Sequence, residues 1–428
     1  MFFIYTVLYA VILPFFLPGE LLKRPKGARM AWLAQKFGRM GKEIFQARRE
    51  GGSAVWVHAV SVGEVLAAVP FIEALRARGL EPVISTITET GRQVARKKFP
   101  EGRIIYLPFD LPFAFKRAAR EVKPRAFILM ETELWPNAVR TMHGLGIPVF
   151  IVNGRLSEKS TAGYRRFHFF FKRVVSKLSL ICVQDEVYAK RAALIGAPEQ
   201  KILVTGNFKF EMGAKGPSLA PAWPVWMEKL TRPVIVAGST HAGEEEFLIE
   251  IYKKLQMEFP LLSLVLVPRH PERAPEVGAL IKKAGMNYIK SSMPGVEEAR
   301  GETMVDAGQP GIVLVDTVGE LFNIYSKADV AVVGGSFIPR GGQNPLEPAY
   351  WGKPVICGPD MRNFTFMPEF LKSGGALTAD KETLLEKLAG LLADEGRRTA
   401  MGADAKKFYL ERSGAVGKTA NAIMAVLG

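Results

Sequence analysis

The sequence predicts an α/β protein made of two doubly wound, Rossmann-like domains that face each other across a cleft, preceded by a membrane anchor. Three observations carry that expectation. Short, almost wholly apolar, β-rich runs alternate with longer helical stretches, as parallel strands covered on both faces require. The alternation breaks once, over the Pro- and Gly-rich segment 212–232, and then restarts. The chain has 428 residues, too many for one ordinary domain and suited to two or three. The expected division is an anchor over 1–22, a first domain over 23–211, a linker over 212–232, a second domain over 233–405 and a C-terminal helix over 406–428.

The anchor comes first. Phe2 to Leu17 carries no charge, and Lys23, Arg24, Lys26 and Arg29 follow directly. A cleaved signal peptide would place positive charge before the apolar core and a small-x-small site after it, and neither is present. The run is short for a span, and Pro14 interrupts it. The trailing positive charge puts the bulk of the protein on the cytoplasmic side. A short span and an interfacial helix both fit, with a plain buried helix as the alternative. Trp32 and Phe37, set among basic residues, suit an interfacial position.

Seven strand candidates follow: 54–59, 82–87, 103–107, 126–130, 148–153, 178–184 and 201–206. Beyond the linker come 233–238, 262–267, 312–316, 330–335 and 354–358. Residues 393–427 read as helices with Gly breaks. Ligand sites in such folds lie at the carboxyl ends of the strands.

Net charge is +15, which points to an anionic partner. Basic clusters such as Arg92/Arg96/Lys97/Lys98, Arg165/Arg166 and Lys172/Arg173 lie in the N-terminal half, and no nucleic-acid-binding motif accompanies them. Cys182 and Cys357 sit in apolar runs and read as small buried residues in a chain from a reducing compartment. The histidines are dispersed without metal-ligand spacing, so no metal or other cofactor is expected.

Candidate chemistry sits at the ends of the strand runs. Val60-Ser61-Val62-Gly63-Glu64 follows the first, where Glu64 can take a proton from a nucleophile or merely complement a helix N-terminus. Glu131 and Glu133 follow 126–130 beside Trp135, a body that would desolvate an acid and raise its pKa. A capping cluster for the helix from Asn137 is the alternative. Ser239 and Thr240 end the first strand of the second domain and suit phosphate oxygens. Arg269 and His270, held in a stiff Pro-x-x-Pro loop, suit an anion, with a surface ion pair as the alternative. Thr317, Gly319 and Glu320 follow the strand at 312–316. Gly334 and Gly335 allow close backbone approach to a ligand, and Ser336 follows them in the same candidate binding motif. Asn344 opens a helix with Glu347 in its first turn, where a carboxylate can accept both hydroxyls of a ribose.

These segments resemble one family. Val60–Glu64, Met130-Glu131-Thr132-Glu133-Leu134-Trp135-Pro136-Asn137, Pro268-Arg269-His270-Pro271-Glu272-Arg273 and Gly341-Gly342-Gln343-Asn344-Pro345-Leu346-Glu347 look like 3-deoxy-D-manno-octulosonic acid (Kdo) transferases. Tyr106–Pro112, Arg155-Leu156-Ser157 and Thr205–Phe210 support the match, which covers nearly the whole chain. The resemblance implies an inverting GT-B glycosyltransferase that uses no metal. It would move Kdo from CMP-Kdo to the lipid A precursor lipid IVA at the cytoplasmic face of the inner membrane. Glu64 matches the family's proposed base and Glu131 its second essential acid. The C-terminal motifs match its CMP pocket, with Lys209 a further candidate cation. Gln343 stands where many members have His, so a role needing charge at that position is in doubt. Other readings are a nucleotide-sugar 2-epimerase or similar GT-B enzyme, and a non-catalytic, membrane-tethered nucleotide- or lipid-binding protein.

Overall fold

The computed structural model describes residues 1–41, 53–100, 102–211, 224–292 and 311–428. The chain divides into two compact units, Met1–Ala214 with Ser413–Gly428, and Lys215–Arg412.

The first unit holds β1 (Ser53–His58), β2 (Leu80–Thr86), β3 (Arg103–Tyr106), β4 (Ala126–Met130), β5 (Val149–Gly154), β6 (Leu180–Val183) and β7 (Ile202–Val204). They form one parallel sheet in the order β3-β2-β1-β4-β5-β6-β7. Alternate side chains of one strand enter opposite cores, which is why its sequence is apolar throughout. Trp56, Phe127 and Leu129 pack on one face with Phe115 and Val139. Val55, Val57, Ile128 and Met130 pack on the other with Phe71 and Ile72. Each large side chain buried in this way stabilises the unit by about 1.5–3 kcal/mol.

The second unit repeats the plan with β8 (Val234–Thr240), β9 (Ser263–Pro268), β10 (Tyr288–Lys290), β11 (Ile312–Leu314), β12 (Val330–Val333), β13 (Val355–Cys357) and β14 (Ala376–Thr378). Its order is β10-β11-β9-β8-β12-β13-β14. In the first sheet the chain winds outward from β1 to β3 and then crosses to the other side of β1; in the second it runs from β8 through β9 to the edge strand β10, returns to β11, and then crosses to the other side of β8. The loops that leave β1 and β4, and those that leave β8 and β12, therefore diverge and open a crevice at the strand ends.

Several expectations need correction. The sequence reading contained neither β10 nor β14. Both are three-residue edge strands with half-buried residues, too short and too mixed to show an apolar run. The N-terminal helix is unbroken over Phe2–Leu22 and passes through both Pro14 and Pro18. Trp32 is a core residue rather than an interfacial one, buried against Tyr106 and Phe109. Phe37 is half-buried and stacks on Phe113. Of the linker segment, 212–223 lies outside the described residues, while Trp226, Met227 and Leu230 are buried in the second unit's core. The C-terminal segment is two helices, Glu395–Glu411 and Ala415–Leu427, separated at Gly414 with φ 91°. The last helix buries Ala415, Val416, Ala420 and Ile423 in the first unit's core, beside Phe208 and Phe71.

Two glycines contrast a tight backbone approach at the second crevice with an open position in the last helix. A Cβ on Gly334 would lie 2.4 Å from the Ser239 carbonyl oxygen, a backbone atom that cannot rotate away. Gly334→Ala should destabilise the protein by about 1–3 kcal/mol. Gly417→Ala, in a helix with nothing within 4 Å, should be neutral or stabilise by up to about 1 kcal/mol. Urea unfolding midpoints of the two variants check the contrast.

Candidate active site

Glu64 stands in the first turn of the helix Val62–Arg76, just beyond β1. Ser61 caps that helix: its Oγ accepts from the Glu64 N–H at 3.4 Å and donates to Glu64 Oε1 at 3.0 Å. Glu64 Oε2 accepts from the Val60 N–H at 2.9 Å. This resembles a capping box in which the carboxylate reaches the N–H before the N-cap residue, so the structural role foreseen for Glu64 is real. It does not exhaust the carboxylate, which has about four lone-pair sites. Burial pushes the Glu64 carboxyl up to about 7, assisted by the charges of Glu131 and Glu133 and opposed by the Val60 and Ser61 hydrogen bonds. A carboxyl held there can exchange a proton near neutral pH.

Glu131 directly follows β4, the strand adjacent to β1. It adopts φ 54°, left-handed backbone that a non-glycine residue rarely takes, and its N–H donates to the Val152 carbonyl at 2.9 Å. Burial raises its carboxyl, while Arg155 and Lys209 pull it down. Glu133 is raised by burial and then by Glu131. The capping alternative for these acids does not hold. The helix Pro136–Gly144 is capped by Asp110, whose Oδ2 and Oδ1 accept the Asn137 and Ala138 N–H groups at 3.1 and 2.7 Å. Asp110 is fully buried and its carboxyl rises to about 6, burial outweighing the hydrogen bonds it accepts. With Asp110 holding the helix end, Glu131 and Glu133 are left for other work.

Lys209 belongs to this acidic group. It lies in the first unit, where burial lowers its ammonium, Arg155 lowers it further, and Glu131 raises it. The Asn153 side chain accepts the Phe208 N–H at 3.1 Å and so holds the Lys209 segment against the end of β5. Arg155 is tied to the acidic loop in turn, since its carbonyl accepts the Thr132 hydroxyl.

In the second unit a buried carboxylate organises the crevice. Glu244 is fully buried, and its carboxyl is raised by that burial. It accepts the His241 N–H at 3.0 Å, the Gly335 N–H at 2.7 Å and the Phe337 N–H at 3.0 Å. Glu244 thus joins the loop after β8 to the loop after β12. Sequence reasoning missed it; the available signal was an acid four residues past the strand, at a helix start.

Around this frame lie the predicted ligand residues. Ser239 adopts φ 57° at an irregularity in β8, and the buried Thr240 hydroxyl has no hydrogen-bond partner among the described residues. The Arg269 N–H donates to the Thr240 carbonyl at 2.9 Å, and its side chain is exposed at the end of β9. Arg273, by contrast, is engaged with the buried Glu245 at 2.8 Å. His241 and His270 stack edge to face with ring centroids 5.9 Å apart. Burial lowers the His241 imidazole, and the positive fields of His270, Arg340, Arg269 and Arg273 lower it further. His241 and Arg340 are therefore additional members of a positive pocket. Gln343 Nε2 sits 3.2 Å from His241 Nε2.

Glu347 lies deep in the unit without being sealed from solvent. Burial raises its carboxyl to about 7, opposed by Asn344, whose Nδ2 donates at 3.3 Å, and by the charge of Arg269. Glu347 and Arg269 are thus neighbours, as one nucleotide site requires. Thr317 has a buried hydroxyl with no partner among the described residues, Gly319 is exposed at φ 93°, and the Glu320 carbonyl starts a four-residue helix. Ser336 is fully buried, its hydroxyl donates to the Val333 carbonyl at 2.5 Å, and it accepts the Gly358 N–H at 2.7 Å. That hydroxyl braces β12 against β13.

Comparison with known proteins identifies the chemistry that this arrangement serves. A family model for 3-deoxy-D-manno-octulosonic-acid transferase (kdotransferase) matches residues 31–212. The 3-deoxy-D-manno-octulosonic acid transferase of Haemophilus influenzae is 34% identical over 430 residues, 97% of this chain and 96% of that protein. This chain belongs to the Kdo transferase family. The transferase of Bordetella pertussis is 33% identical, covering 95% of this Kdo transferase and 94% of its relative. Solved structures show the fold alone. UDP-GlcNAc 2-epimerase from Neisseria meningitidis aligns with TM-score 0.56 at 15% identity, over 84% of this chain and 99% of that one. MurG from Acinetobacter baumannii aligns with TM-score 0.55 at 14% identity, over 87% and 99%. The enzyme is a glycosyltransferase of the GT-B fold.

The raised Glu347 carboxyl has a measurable consequence. Folded, it keeps its proton above the unfolded value of 4.5 and up to about 7. The stability this contributes is present below 4.5 and is lost as pH rises through about 7. Glu347→Gln carries no such dependence. The stability of the variant relative to the parent should improve between pH 5 and pH 8, read from urea unfolding without nucleotide. A pH-independent difference would show that the folded carboxyl titrates normally.

Proposed function

We propose that this Kdo transferase moves Kdo from CMP-Kdo to lipid IVA at the cytoplasmic face of the inner membrane, with inversion at the anomeric carbon. The observation that carries the reading is the acidic group at the β1/β4 crevice, with Glu64 raised to about 7 beside Glu131 and Glu133. Inverting transfer needs a base on the acceptor hydroxyl and stabilisation of the departing phosphate. Glu64 takes the hydroxyl proton as oxygen attacks the anomeric carbon. Glu131, with Arg155 and Lys209 beside it, sets the field at that point, and the two cations also suit the Kdo carboxylate.

CMP leaves as a phosphate monoester dianion into the positive pocket of the second unit. Arg269 and His270 meet its charge, joined by Ser239, Thr240 and the backbone at Gly335. Glu347 accepts the ribose hydroxyls, with Asn344 orienting it. Thr317, Gly319 and Glu320, on the loop after β11, border the nucleotide. A doubly phosphorylated glycolipid acceptor accounts for the surplus of +15.

Glu64→Gln keeps size and most hydrogen bonding but removes basicity. Single-turnover transfer from CMP-Kdo to lipid IVA should fall about 10²–10⁴-fold, with CMP affinity and melting temperature nearly unchanged. In the parent, the rate should rise with pH through about 7 as Glu64 ionises. A Glu64→Gln rate within a few-fold of the parent would move the base to Glu131 or Glu133. Glu347→Ala should weaken CMP binding by about 1–3 kcal/mol in calorimetry. Unchanged affinity would place the ribose elsewhere. Mass spectrometry of the lipid product tests donor and acceptor together, since an epimerase or a binding protein would leave lipid IVA at its original mass.

A further inference from the structure

We infer that the N-terminal helix is an in-plane membrane helix rather than a span, and that it forms one lipid-facing surface with the helix His168–Val175. The inference rests on the membrane reading above and says how the membrane is met.

The N-terminal helix touches its own unit along one stripe. Phe2, Tyr5, Thr6, Tyr9, Leu13, Leu17 and Leu21 recur at three- and four-residue spacing, and all are half-buried. That stripe runs the full length of the helix, so the helix lies along the unit instead of projecting from it. At one end the Tyr5 hydroxyl donates to Asp110 Oδ2 at 2.8 Å and the Thr6 hydroxyl to Asn137 Oδ1 at 3.0 Å. The Phe2 ring packs on Phe170 at 5.2 Å. Toward the other end Tyr9, Leu13, Leu17 and Leu21 pack on the cluster of Trp32, Tyr106 and Phe109.

The helix has 21 residues, hence a length of about 31 Å, close to the hydrocarbon thickness of about 30 Å. It is long and apolar enough to cross a membrane by composition. If it crossed in this docked form, everything packed beside it would cross as well. That includes the buried Asp110, the buried Lys36 and Arg24, and Arg140, which lies over the Phe2 ring at 5.1 Å. Charged groups in hydrocarbon carry a heavy cost. Laid flat, the helix costs nothing of the kind: its polar contacts stay on the protein side and its apolar face meets lipid.

The outward face fits that role. Phe3, Ile4, Leu8, Val11, Phe15 and Phe16 are all exposed, Phe15 at 82%. Phe170 fixes the helix His168–Val175 beside the docked stripe of the N-terminal helix, since its ring also lies 5.5 Å from Tyr5. There Phe167 and Phe169 are exposed, the latter at 76%, among the exposed Arg165, Arg166, Lys172 and Arg173. At the opposite end Leu22 and Met30 are exposed beside Lys23 and Lys26. An apolar surface with cations at both ends matches a leaflet of anionic lipid, which takes the rings into the acyl boundary and the cations at its headgroups.

The test uses full-length protein with a protease-cleavable tag before Met1, expressed in cells and isolated in sealed, cytoplasm-face-out membrane vesicles. An in-plane helix leaves the tag outside, where protease removes it. A tag that is protected until detergent opens the vesicles would show a span and overturn the proposal. Protein absent from washed vesicles would overturn the membrane reading itself and this proposal with it. A second measurement keeps the first helix intact. Phe167→Asp/Phe169→Asp, at exposed positions, should weaken binding to phosphatidylglycerol vesicles about tenfold or more with melting unchanged. Unaltered vesicle affinity in that variant would overturn the joint surface.

Discussion

The reversal of winding within each parallel sheet is the constraint on which the rest of this molecule depends. Parallel strands joined by right-handed crossovers carry the chain steadily to one side. To use both sides of its first strand, the chain must cross that strand once, from β3 to β4 in the first unit and from β11 to β12 in the second. At that point the loops on neighbouring strands leave in opposite directions, and a crevice opens that side chains must line. Glu64 and Glu131 line the first, and the loops joined by Glu244 line the second.

Buried carboxylates keep these crevices in shape. Asp110 and Glu244 are both fully buried, and each is surrounded by backbone N–H donors that would otherwise be orphaned. Asp110 takes over the capping of the helix after Glu131 and Glu133, which leaves those acids unspent. It also accepts the Tyr5 hydroxyl, so one carboxylate ties the N-terminal helix to the element that begins where the acidic loop ends. Glu244 spans two loops that are ninety residues apart in the chain. Glu64 differs from both. Its capping bonds are fewer and it is only half-buried, so its proton can still exchange with a substrate placed beside it.

Charge is divided between the units according to chemistry. The first gathers acids at its crevice and keeps Lys209 and Arg155 close enough to Glu131 to oppose the effect of burial. The second gathers His241, His270, Arg269 and Arg340, where burial first and the neighbouring positive charges second hold His241 toward its neutral form. With Gln343 in hydrogen-bond range of that imidazole, the contact is one between neutral partners and needs no charge at position 343.

What the sequence determined by itself was the set of parts. Continuous apolar runs at twelve places meant buried parallel strands, because a strand covered on both faces has no polar side to show. The residues just past those runs included Glu64, Glu131, Arg269 and Glu347, because chemistry in this fold class sits at strand ends. Tertiary structure decided which of those parts were free to act. Trp32 reads as interfacial, yet Tyr106 and Phe109 bury it. Glu131 and Glu133 could have been caps until Asp110, more than twenty residues earlier, proved to hold that helix end. The edge strands β10 and β14, the return of the last helix to the first unit and the flat docking of the first helix were likewise invisible. Each depends on a contact between residues far apart in the chain, and local pattern records what a residue can do, not which distant partner has already engaged it.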